Sequence, residues 1–253
     1  LILAYTAVKD LDRMSGLPGL ALVTADNTGL TLKEGNDFID KNPNCRFVFQ
    51  TFENTAWWKA LEPAWKEALM KQAGLSRDPD KFGLQAIAGM ETLHIDQNPQ
   101  ITSVQPVLYL SRLREFRFSD TRVMTLEPLR NMNWILSLAF PKNPISDLSP
   151  IGGLRQLKEL DFENTQVEDL QPITNLVNLE VLRMSGTPVK TLKYISLMRK
   201  LTVVDLYNTK ISNMDVLDQM PNLKSIKIFN TKISEKKVAA FRQKHPGCEV
   251  VYY

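Results

Sequence analysis

Cysteine, histidine and long apolar runs are scarce in this sequence, and each scarcity excludes a class of protein. The 253 residues include only two cysteines and two histidines. Those numbers are too small for a disulfide framework or for a metal site built mainly from these ligands. No run of about 18 apolar residues is present that could cross a bilayer. We therefore expect no cofactor, no metal ion and no insertion into a membrane.

Dense positive charge is also missing. The formal net charge is +3, and the lysines and arginines are spread along the chain without a stripe of interleaved aromatic residues. A nucleic-acid partner is therefore not expected. The sequence contains no G-x-S-x-G, P-loop, H-E-x-x-H or Rossmann-type glycine pattern, so we expect a protein that is not an enzyme.

The few reactive side chains do not form a catalytic or metal-binding pattern. His94 falls beside Asp96 at an outward position of a predicted strand, but one histidine and one carboxylate supply too few metal ligands. Cys45 and Cys248 precede alternating apolar residues, which favours small buried side chains over nucleophiles. His245 lies in a turn before a proline and is interpreted as structural.

A strict 22-residue period dominates the second half of the chain. The repeat restarts at Leu113, Ile135, Leu157, Leu179, Leu201 and Leu223, after a slightly longer first copy over residues 90–112. Apolar residues at fixed offsets give each unit an inward face that it cannot bury alone. Stacked neighbours bury that face, so the period predicts a solenoid with a continuous exposed surface suited to binding.

These repeats resemble leucine-rich repeats of the short class found in SDS22-like proteins and bacterial internalins. Their proline position holds Pro106, Pro128, Pro150 and Pro172. Their Asn/Thr ladder holds Asn98, Thr121, Asn143, Thr165, Thr187, Thr209 and Thr231. The resemblance implies an α/β fold, namely a curved leucine-rich-repeat solenoid with a parallel β-sheet on its concave face and helical caps. Tyr194 and Val216 replace the proline in late repeats, which puts the convex-side geometry there in doubt.

An internal match at an offset of 203 residues indicates two repeat blocks. Residues 1–50 align with the end of the chain, and Cys45 falls on Cys248. We interpret residues 1–50 as the last repeats and C-terminal cap of a first block whose upstream repeats are removed. Residues 51–89 are interpreted as a helical N-terminal cap or linker, with helices starting at Pro63 and after Pro79. Residues 90–233 form about seven repeats, and 234–253 form a C-terminal cap.

Strand alternation assigns the outward positions of each repeat, because successive side chains point to opposite faces of a sheet. Tyr207 and Phe229 fall side by side on the last two repeats, at positions where the first block has Ala4 and Asp26. Exposed aromatic residues ringed by charges are typical of binding hot spots. The candidate partner-binding residues are Tyr207, Phe229, Arg183, Asp205, Lys227, Asp161 and Glu163.

Two structural alternatives stay open for these candidates. Phe229 could lean on the closing cap while Tyr207 merely covers it. The strand with Asp161 and Glu163 could be a solvated face whose carboxylates pair with arginine of the next repeat.

The resemblance leaves more than one function open. It implies a non-catalytic module, expected to be monomeric, that recognises a protein or glycan on its concave face and is exported or attached to a bacterial cell surface. The alternative is a cytoplasmic scaffold that docks on and regulates an enzyme, as SDS22-like repeats do; two cysteines without a disulfide framework fit a reducing compartment slightly better. A third option is an accessory domain whose neighbours in a longer chain hold the catalysis.

Overall fold

The computed structural model describes residues 1–252, which divide into two compact units. The first unit comprises Leu1–Glu91 together with Tyr109–Arg112, and the second comprises Thr92–Leu108 and Leu113–Tyr253.

The first unit combines a two-stranded parallel sheet with four helices. Strands β1 and β2 pair in parallel, and an isolated bridge joins Ile2 to Thr24. The elements of the unit are β1 (Leu22–Thr24), α1 (Leu32–Lys41), β2 (Arg46–Val48), α2 (Thr51–Ala60), α3 (Pro63–Gln72) and α4 (Lys81–Ala88). The helices expected at Pro63 and after Pro79 are therefore confirmed as α3 and α4.

Buried aromatic side chains hold the first unit together. Phe38 of α1 packs against Phe47 of β2 with ring centroids 4.9 Å apart. Trp57 and Trp58 of α2 are almost fully buried, so this pair belongs to the core. Such large apolar side chains supply most of the area that a small domain can remove from water.

The second unit is one eight-stranded parallel sheet with a helix before its last strand. The order of the strands follows the chain from β3 to β10 without a crossover. Its elements are β3 (Thr92–Asp96), β4 (Glu115–Ser119), β5 (Ser137–Ala139), β6 (Glu159–Asp161), β7 (Val181–Arg183), β8 (Val203–Asp205), β9 (Ser225–Lys227), α5 (Glu235–Lys244) and β10 (Glu249–Val251).

The inward residues of each repeat behave as the period predicts. The side chains of Phe116, Leu138, Leu160, Leu182 and Val204 are fully buried and lie opposite one another in consecutive strands. Because each strand buries this face only against its neighbours, the stack forms a single core.

A short 3₁₀ turn follows each strand from β3 to β8, and it forms with or without proline. Proline occupies the first turn of Glu127–Leu129, Ser149–Ile151 and Gln171–Ile173, where its fixed φ suits the helical start. The turns Lys193–Ile195 and Asp215–Gln219 form as well, although Tyr194 and Val216 replace proline. The loss of proline therefore leaves the type of turn unchanged.

A residue in the left-handed conformation ends the strand region of every repeat. These residues are Gln97, Asp120, Lys142, Asn164, Gly186, Asn208 and Asn230, with φ between 52° and 69°. Asparagine, aspartate and glycine tolerate this conformation best, which explains why they supply five of the seven.

The two caps share the same order and length of elements. β1, α1 and β2 of the first unit correspond to β9, α5 and β10 of the second at a constant offset of 203 residues. The local folds of the two segments are therefore alike, as the internal sequence match predicts.

Candidate functional site

The outward side chains of the eight-stranded sheet form three columns, which we call the outer face. Strand pairing places Glu159 opposite Val181 and Asp161 opposite Arg183, and backbone hydrogen bonds extend this register past the strands. The first column holds Thr92, Glu115, Ser137, Glu159, Val181, Val203 and Ser225. The middle column holds His94, Arg117, Ala139, Asp161, Arg183, Asp205 and Lys227. The third column holds Asp96, Ser119, Pro141, Glu163, Ser185, Tyr207 and Phe229.

Two ion pairs bind neighbouring strands on the outer face. The Arg183 guanidinium donates to the Glu159 carboxylate in the first column. The Lys227 ammonium lies 2.9 Å from the Asp205 carboxylate in the middle column. Arg183 and Glu159 are both more than one-third exposed, so water screens their pair and it contributes little to stability. In the second pair the Lys227 side chain is exposed but the Asp205 carboxylate is buried.

Arg117 extends the charge ladder across a gap left by a small residue. Its guanidinium lies 3.3 Å from the Asp96 carboxylate and 3.7 Å from that of Asp161, which is two strands away. Ala139 stands between Arg117 and Asp161 in the middle column and is buried. The short alanine side chain leaves the room in which the arginine reaches across.

Asp161 and Asp205 are the two buried carboxylates of the outer face, with relative exposures of 7% and 5%. Burial raises the pKa of Asp161, while backbone hydrogen bonding from Glu163 and the charges of Arg117 and Arg183 act in the opposite direction. Asp205 accepts hydrogen bonds from the Ser185 hydroxyl and, at 3.3 Å, from the Tyr207 N–H. Asp205 thus fixes the backbone that carries Tyr207.

Tyr207 and Phe229 stack on adjacent repeats. Their ring centroids lie 4.0 Å apart and their planes differ by 22°. Tyr207 is 38% exposed, which is high for an aromatic side chain already packed on one face. A stacked pair of this kind offers a rigid apolar surface at low cost in side-chain entropy.

Glu163 occupies the third column two repeats before Tyr207 and is half-buried. Burial raises its pKa, and the charges of Asp161 and Asp205 raise it further. A hydrogen bond with the Ser185 side chain and the charge of Lys227 oppose this rise. The carboxylate therefore lies in surroundings that favour its neutral form.

The structure brings all seven predicted site residues onto the outer face, but it gives them different roles. Tyr207 and Phe229 are neighbours, as the register predicts. Arg183 turns toward the first column instead of framing the aromatic pair, because Glu159 engages its guanidinium. The buried carboxylates Asp161 and Asp205 support their neighbours and offer little surface of their own.

Ser185 is a part of this site that the sequence reasoning did not single out. It is 5% exposed and separates Glu163 from Tyr207 in the third column. The signal for it is present in the strict register, which makes a serine in line with a glutamate and two aromatic residues visible from the sequence.

A second exposed aromatic surface, in the first unit, was also not predicted. Tyr5 and Phe52 are 83% and 78% exposed. They line an open groove of about 580 Å³ together with Asp26 and Lys59. The Asp26 carboxylate accepts hydrogen bonds from the N–H and hydroxyl of Thr51, at 2.7 and 2.8 Å, and so anchors the start of α2.

The histidines and cysteines take part in no metal cluster. The His94 ring lies 2.8 Å from the Glu115 carboxylate of the next strand. Cys45 and Cys248 are half-buried, less than the sequence predicts, and burial raises the pKa of both thiols. Within residues 1–252, no group of three histidine, cysteine or acidic side chains could hold a metal ion.

The helices of residues 1–252 are all too short or too polar to cross a lipid bilayer.

Solved structures of leucine-rich-repeat proteins are similar to this chain. Internalin C2 of Listeria monocytogenes is 23% identical, over 79% of this chain and 96% of its own, with a TM-score of 0.60. Internalin F of the same organism is 17% identical, over 98% of this chain and 72% of its own, with a TM-score of 0.61. A leucine-rich-repeat protein of Leptospira interrogans is 16% identical, over 94% and 73%, with a TM-score of 0.51.

The sequence matches no protein-family model and no curated protein sequence. At these identities, the structural likeness establishes the fold alone. It agrees with the parallel sheet of repeats. The chain has the leucine-rich-repeat fold.

Proposed function

We propose that this chain is a non-catalytic binding module that recognises a protein or glycan through the outer face of its eight-stranded sheet. The observation that carries the proposal is the stack of the exposed Tyr207 on the half-buried Phe229, with ring centroids 4.0 Å apart. Aromatic side chains that keep a free surface in a polar surround are enriched among the residues that dominate binding energy.

The charged and polar side chains around the stack hold Tyr207 in place. Asp205 is held by the Ser185 hydroxyl and the Lys227 ammonium, and it accepts a hydrogen bond from the Tyr207 backbone. The tyrosine is therefore fixed before any partner arrives. Preorganisation of this kind lowers the entropy that association must lose.

The affinity test compares wild type with the double variant Tyr207→Ala and Phe229→Ala. We expect the double variant to retain its melting temperature and to lose about 2 kcal/mol or more of binding free energy. A matched control is Met124→Ala with Leu197→Ala, which removes two exposed apolar side chains outside the three columns. Capture from host and bacterial surface extracts, followed by calorimetry on the captured partner, gives the measurement.

The fold gives a second control. Leu206 precedes Tyr207 and is fully buried, so Leu206→Ala should cost roughly 2–5 kcal/mol of stability. If the aromatic double variant lowered melting temperature as much as it lowered binding, the stack would be a structural element. Equal capture by wild type and the double variant would refute the proposed site.

We further propose that the module works outside the cytoplasm, exported or attached to a bacterial cell surface, and as a monomer. The support is the internalin-like class of repeat. Cell fractionation of the source organism tests the location: recovery in the soluble cytoplasmic fraction would favour the intracellular scaffold instead. Sedimentation of the purified chain tests the oligomeric state.

For the organisation of the chain, we propose two repeat blocks. Residues 1–50 would close the first block, 51–89 would form a helical cap or linker, 90–233 the second set of repeats and 234–253 its C-terminal cap. The constant 203-residue offset between the elements of the two caps supports this division. Limited proteolysis within 51–89 would test it, since a boundary there predicts a stable C-terminal fragment.

A further inference from the structure

We propose that the first unit carries a subsite for one pyranose ring of a neutral glycan, in the groove lined by Tyr5 and Phe52. The occupant lays an apolar ring face against the aromatic side chains and directs its hydroxyl groups to the polar residues of the groove. This subsite lies wholly within the first unit, so it is independent of the function proposed for the outer face of the second.

The groove has the size and the lining of a ligand site. Its volume is about 580 Å³, within the range of about 300–1,000 Å³ that is typical of small-molecule sites. It is lined by two aromatic side chains, two threonine hydroxyls, an amide, a carboxylate and a lysine ammonium group. Apolar walls combined with a few polar groups are what a site needs to hold and orient a small ligand.

Asp26 anchors both aromatic residues of the groove. The Tyr5 N–H donates to the Asp26 carbonyl at 2.9 Å. The Asp26 carboxylate accepts hydrogen bonds from the N–H and the hydroxyl of Thr51, at 2.7 and 2.8 Å, and Phe52 is the next residue. The backbone segments that carry the two aromatic rings are therefore fixed to the same aspartate.

One side of α2 continues the groove. Residues three or four positions apart lie along the same side of a helix. The groove-lining residues within α2 follow this spacing, namely Phe52, Thr55, Ala56 and Lys59. The Thr55 hydroxyl donates to the Thr51 carbonyl at 2.6 Å, so its oxygen can still accept a hydrogen bond. The helix thus offers an aromatic ring, a hydroxyl and an ammonium group in one row.

The polar groups of the groove retain unused hydrogen-bonding capacity. Asn27 and Lys59 are exposed, and their side chains form no hydrogen bond or ion pair with other residues of the described range 1–252. Each oxygen of the Asp26 carboxylate accepts one hydrogen bond from Thr51 and can accept another. Donors and acceptors are therefore both available, as the hydroxyl groups of a sugar require.

The backbone of Tyr5 adopts a conformation that tyrosine disfavours. Its φ is +61°, in the left-handed region where bulky residues are rare. Its counterpart at the 203-residue offset is Asn208, and asparagine tolerates this region well. The Tyr5 side chain is 83% exposed, so packing inside the fold does not account for a tyrosine here. Strained residues of this kind cluster at ligand sites, where the side chain serves function.

The mixture of groups favours a sugar over an apolar peptide side chain. A pyranose ring has a face of C–H groups and a rim of hydroxyls, so it can contact an aromatic ring and form hydrogen bonds at the same time. An apolar side chain would cover the Asp26 carboxylate and the Lys59 ammonium without giving either a partner, at a cost in desolvation. Because these two charges balance, the groove favours a neutral occupant over an acidic or a basic one.

Titration with neutral disaccharides tests the subsite. The probes are cellobiose, lactose and N,N′-diacetylchitobiose, with N-acetyl-leucine amide as the apolar peptide comparison. They are added to the isotope-labelled chain and followed through backbone amide resonances. We expect saturable shifts centred on Tyr5, Asn27 and Phe52 with at least one disaccharide, and a dissociation constant on the order of millimolar. The absence of shifts with all three disaccharides, or tighter binding of the leucine probe at these residues, would overturn the subsite.

The variant Phe52→Ala should weaken disaccharide binding about tenfold or more, which corresponds to about 1.4 kcal/mol. Its melting temperature should stay nearly unchanged, because the Phe52 side chain is 78% exposed. The matched control is Leu32→Ala, which removes an exposed apolar side chain from the first turn of α1, outside the groove, and should leave the affinity unchanged. Equal affinity of wild type and Phe52→Ala would contradict the proposal.

The variant Tyr5→Asn separates a binding role from a structural one. Asparagine suits a φ of +61° and holds the equivalent position as Asn208, so this variant should melt at a higher temperature than wild type. The same change removes an aromatic wall of the groove and should weaken disaccharide binding about tenfold or more. Retained affinity would overturn the subsite, and a lower melting temperature would show that the fold itself requires the tyrosine.

Discussion

Asn143 offers the most stringent test of how the repeats hold one another. Its side chain is 2% exposed and lies at a ladder position that most other repeats fill with threonine. Its Oδ1 accepts hydrogen bonds from the N–H and hydroxyl of Thr121 in the preceding repeat, at 3.1 and 2.5 Å. Its amide nitrogen donates to the carbonyls of Phe118, Phe140 and Pro141 at 2.9 to 3.1 Å. One side chain thus joins two turns.

The cost of Asn143→Ala follows from the groups that it would orphan. The Thr121 N–H and hydroxyl would lose their acceptor inside a dry core, and the Phe118 carbonyl would lose a donor. Each buried polar group left unsatisfied costs about 1–3 kcal/mol, and part of the loss is relieved by local relaxation. We therefore expect Asn143→Ala to lower the free energy of unfolding by about 2–4 kcal/mol.

Asn143→Thr provides an internal calibration. In the next repeat, the Thr165 hydroxyl donates to the Phe162 carbonyl at 2.7 Å, so threonine at 143 should satisfy the equivalent Phe140 carbonyl. It is too short to restore the bonds to Thr121. The expected loss for this variant is about half of that for alanine, or about 1–2 kcal/mol.

Denaturant unfolding of the two variants, with Asn133→Ala as an exposed control, gives these values. Repeat stacks can unfold in parts, so the comparison should use variants with unchanged m-values and be supported by hydrogen exchange at Thr121. Equal losses for alanine and threonine would show that the cross-repeat bonds to Thr121 contribute nothing. A loss below about 0.5 kcal/mol for alanine would refute the reasoning altogether.

Three further predictions concern local geometry and charge. Gly186 has φ of +69°, and an added Cβ would collide with an asparagine oxygen of the preceding repeat. Gly186→Ala should therefore lower the free energy of unfolding by about 1–2 kcal/mol in a denaturant titration. The control Gly153→Ala places its Cβ in open space and should lower it by less than about 0.5 kcal/mol. Thr31 caps α1 through a reciprocal capping box, whereas the Ser234 side chain makes no capping hydrogen bond at the start of α5. Thr31→Ala should therefore lower the free energy of unfolding by about 1 kcal/mol. Ser234→Ala should leave the melting temperature nearly unchanged. Because the folded-state pKa of Glu163 is raised, ionisation of this carboxyl lowers the stability of the fold as the pH rises through that pKa. Glu163→Gln should therefore have a higher melting temperature than wild type at pH 7. In parallel thermal melts this difference should disappear by about pH 3.5, where the wild-type carboxyl is protonated.

Much of the fold could be predicted because leucine-rich repeats encode register in spacing. The 22-residue period places inward residues such as Phe116 and Leu138 opposite one another, and the strand pairing confirms it. The same spacing puts Tyr207 and Phe229 on neighbouring repeats. In a parallel sheet without crossovers, residues 22 positions apart in the sequence lie side by side on adjacent strands. The positions of Tyr207 and Phe229 could therefore be predicted from the repeat length alone.

The directions of long side chains could not be predicted from the repeat register. Arg183 has carboxylates in several neighbouring positions, and only the three-dimensional arrangement shows that Glu159 engages it. Arg117 reaches across Ala139 to Asp161, two strands away, which depends on the size of the intervening residue. The groove at Tyr5 and Phe52 was also missed, because no capping residue or repeat position in the sequence marks where α2 begins, so Phe52 could not be placed.

The two caps together argue that the aromatic stack is not a requirement of the fold. Their elements coincide at an offset of 203 residues, so the backbone around Tyr207 and Phe229 has a counterpart around Ala4 and Asp26. Neither of those two positions of the first cap holds an aromatic side chain, and the Asp26 carboxylate instead accepts hydrogen bonds from Thr51 at the start of α2. A cap that closes equally well with alanine and aspartate does not need tyrosine and phenylalanine for closure. The stack on the outer face of the second unit is therefore not needed to close the cap, which supports the proposal that it contributes to binding.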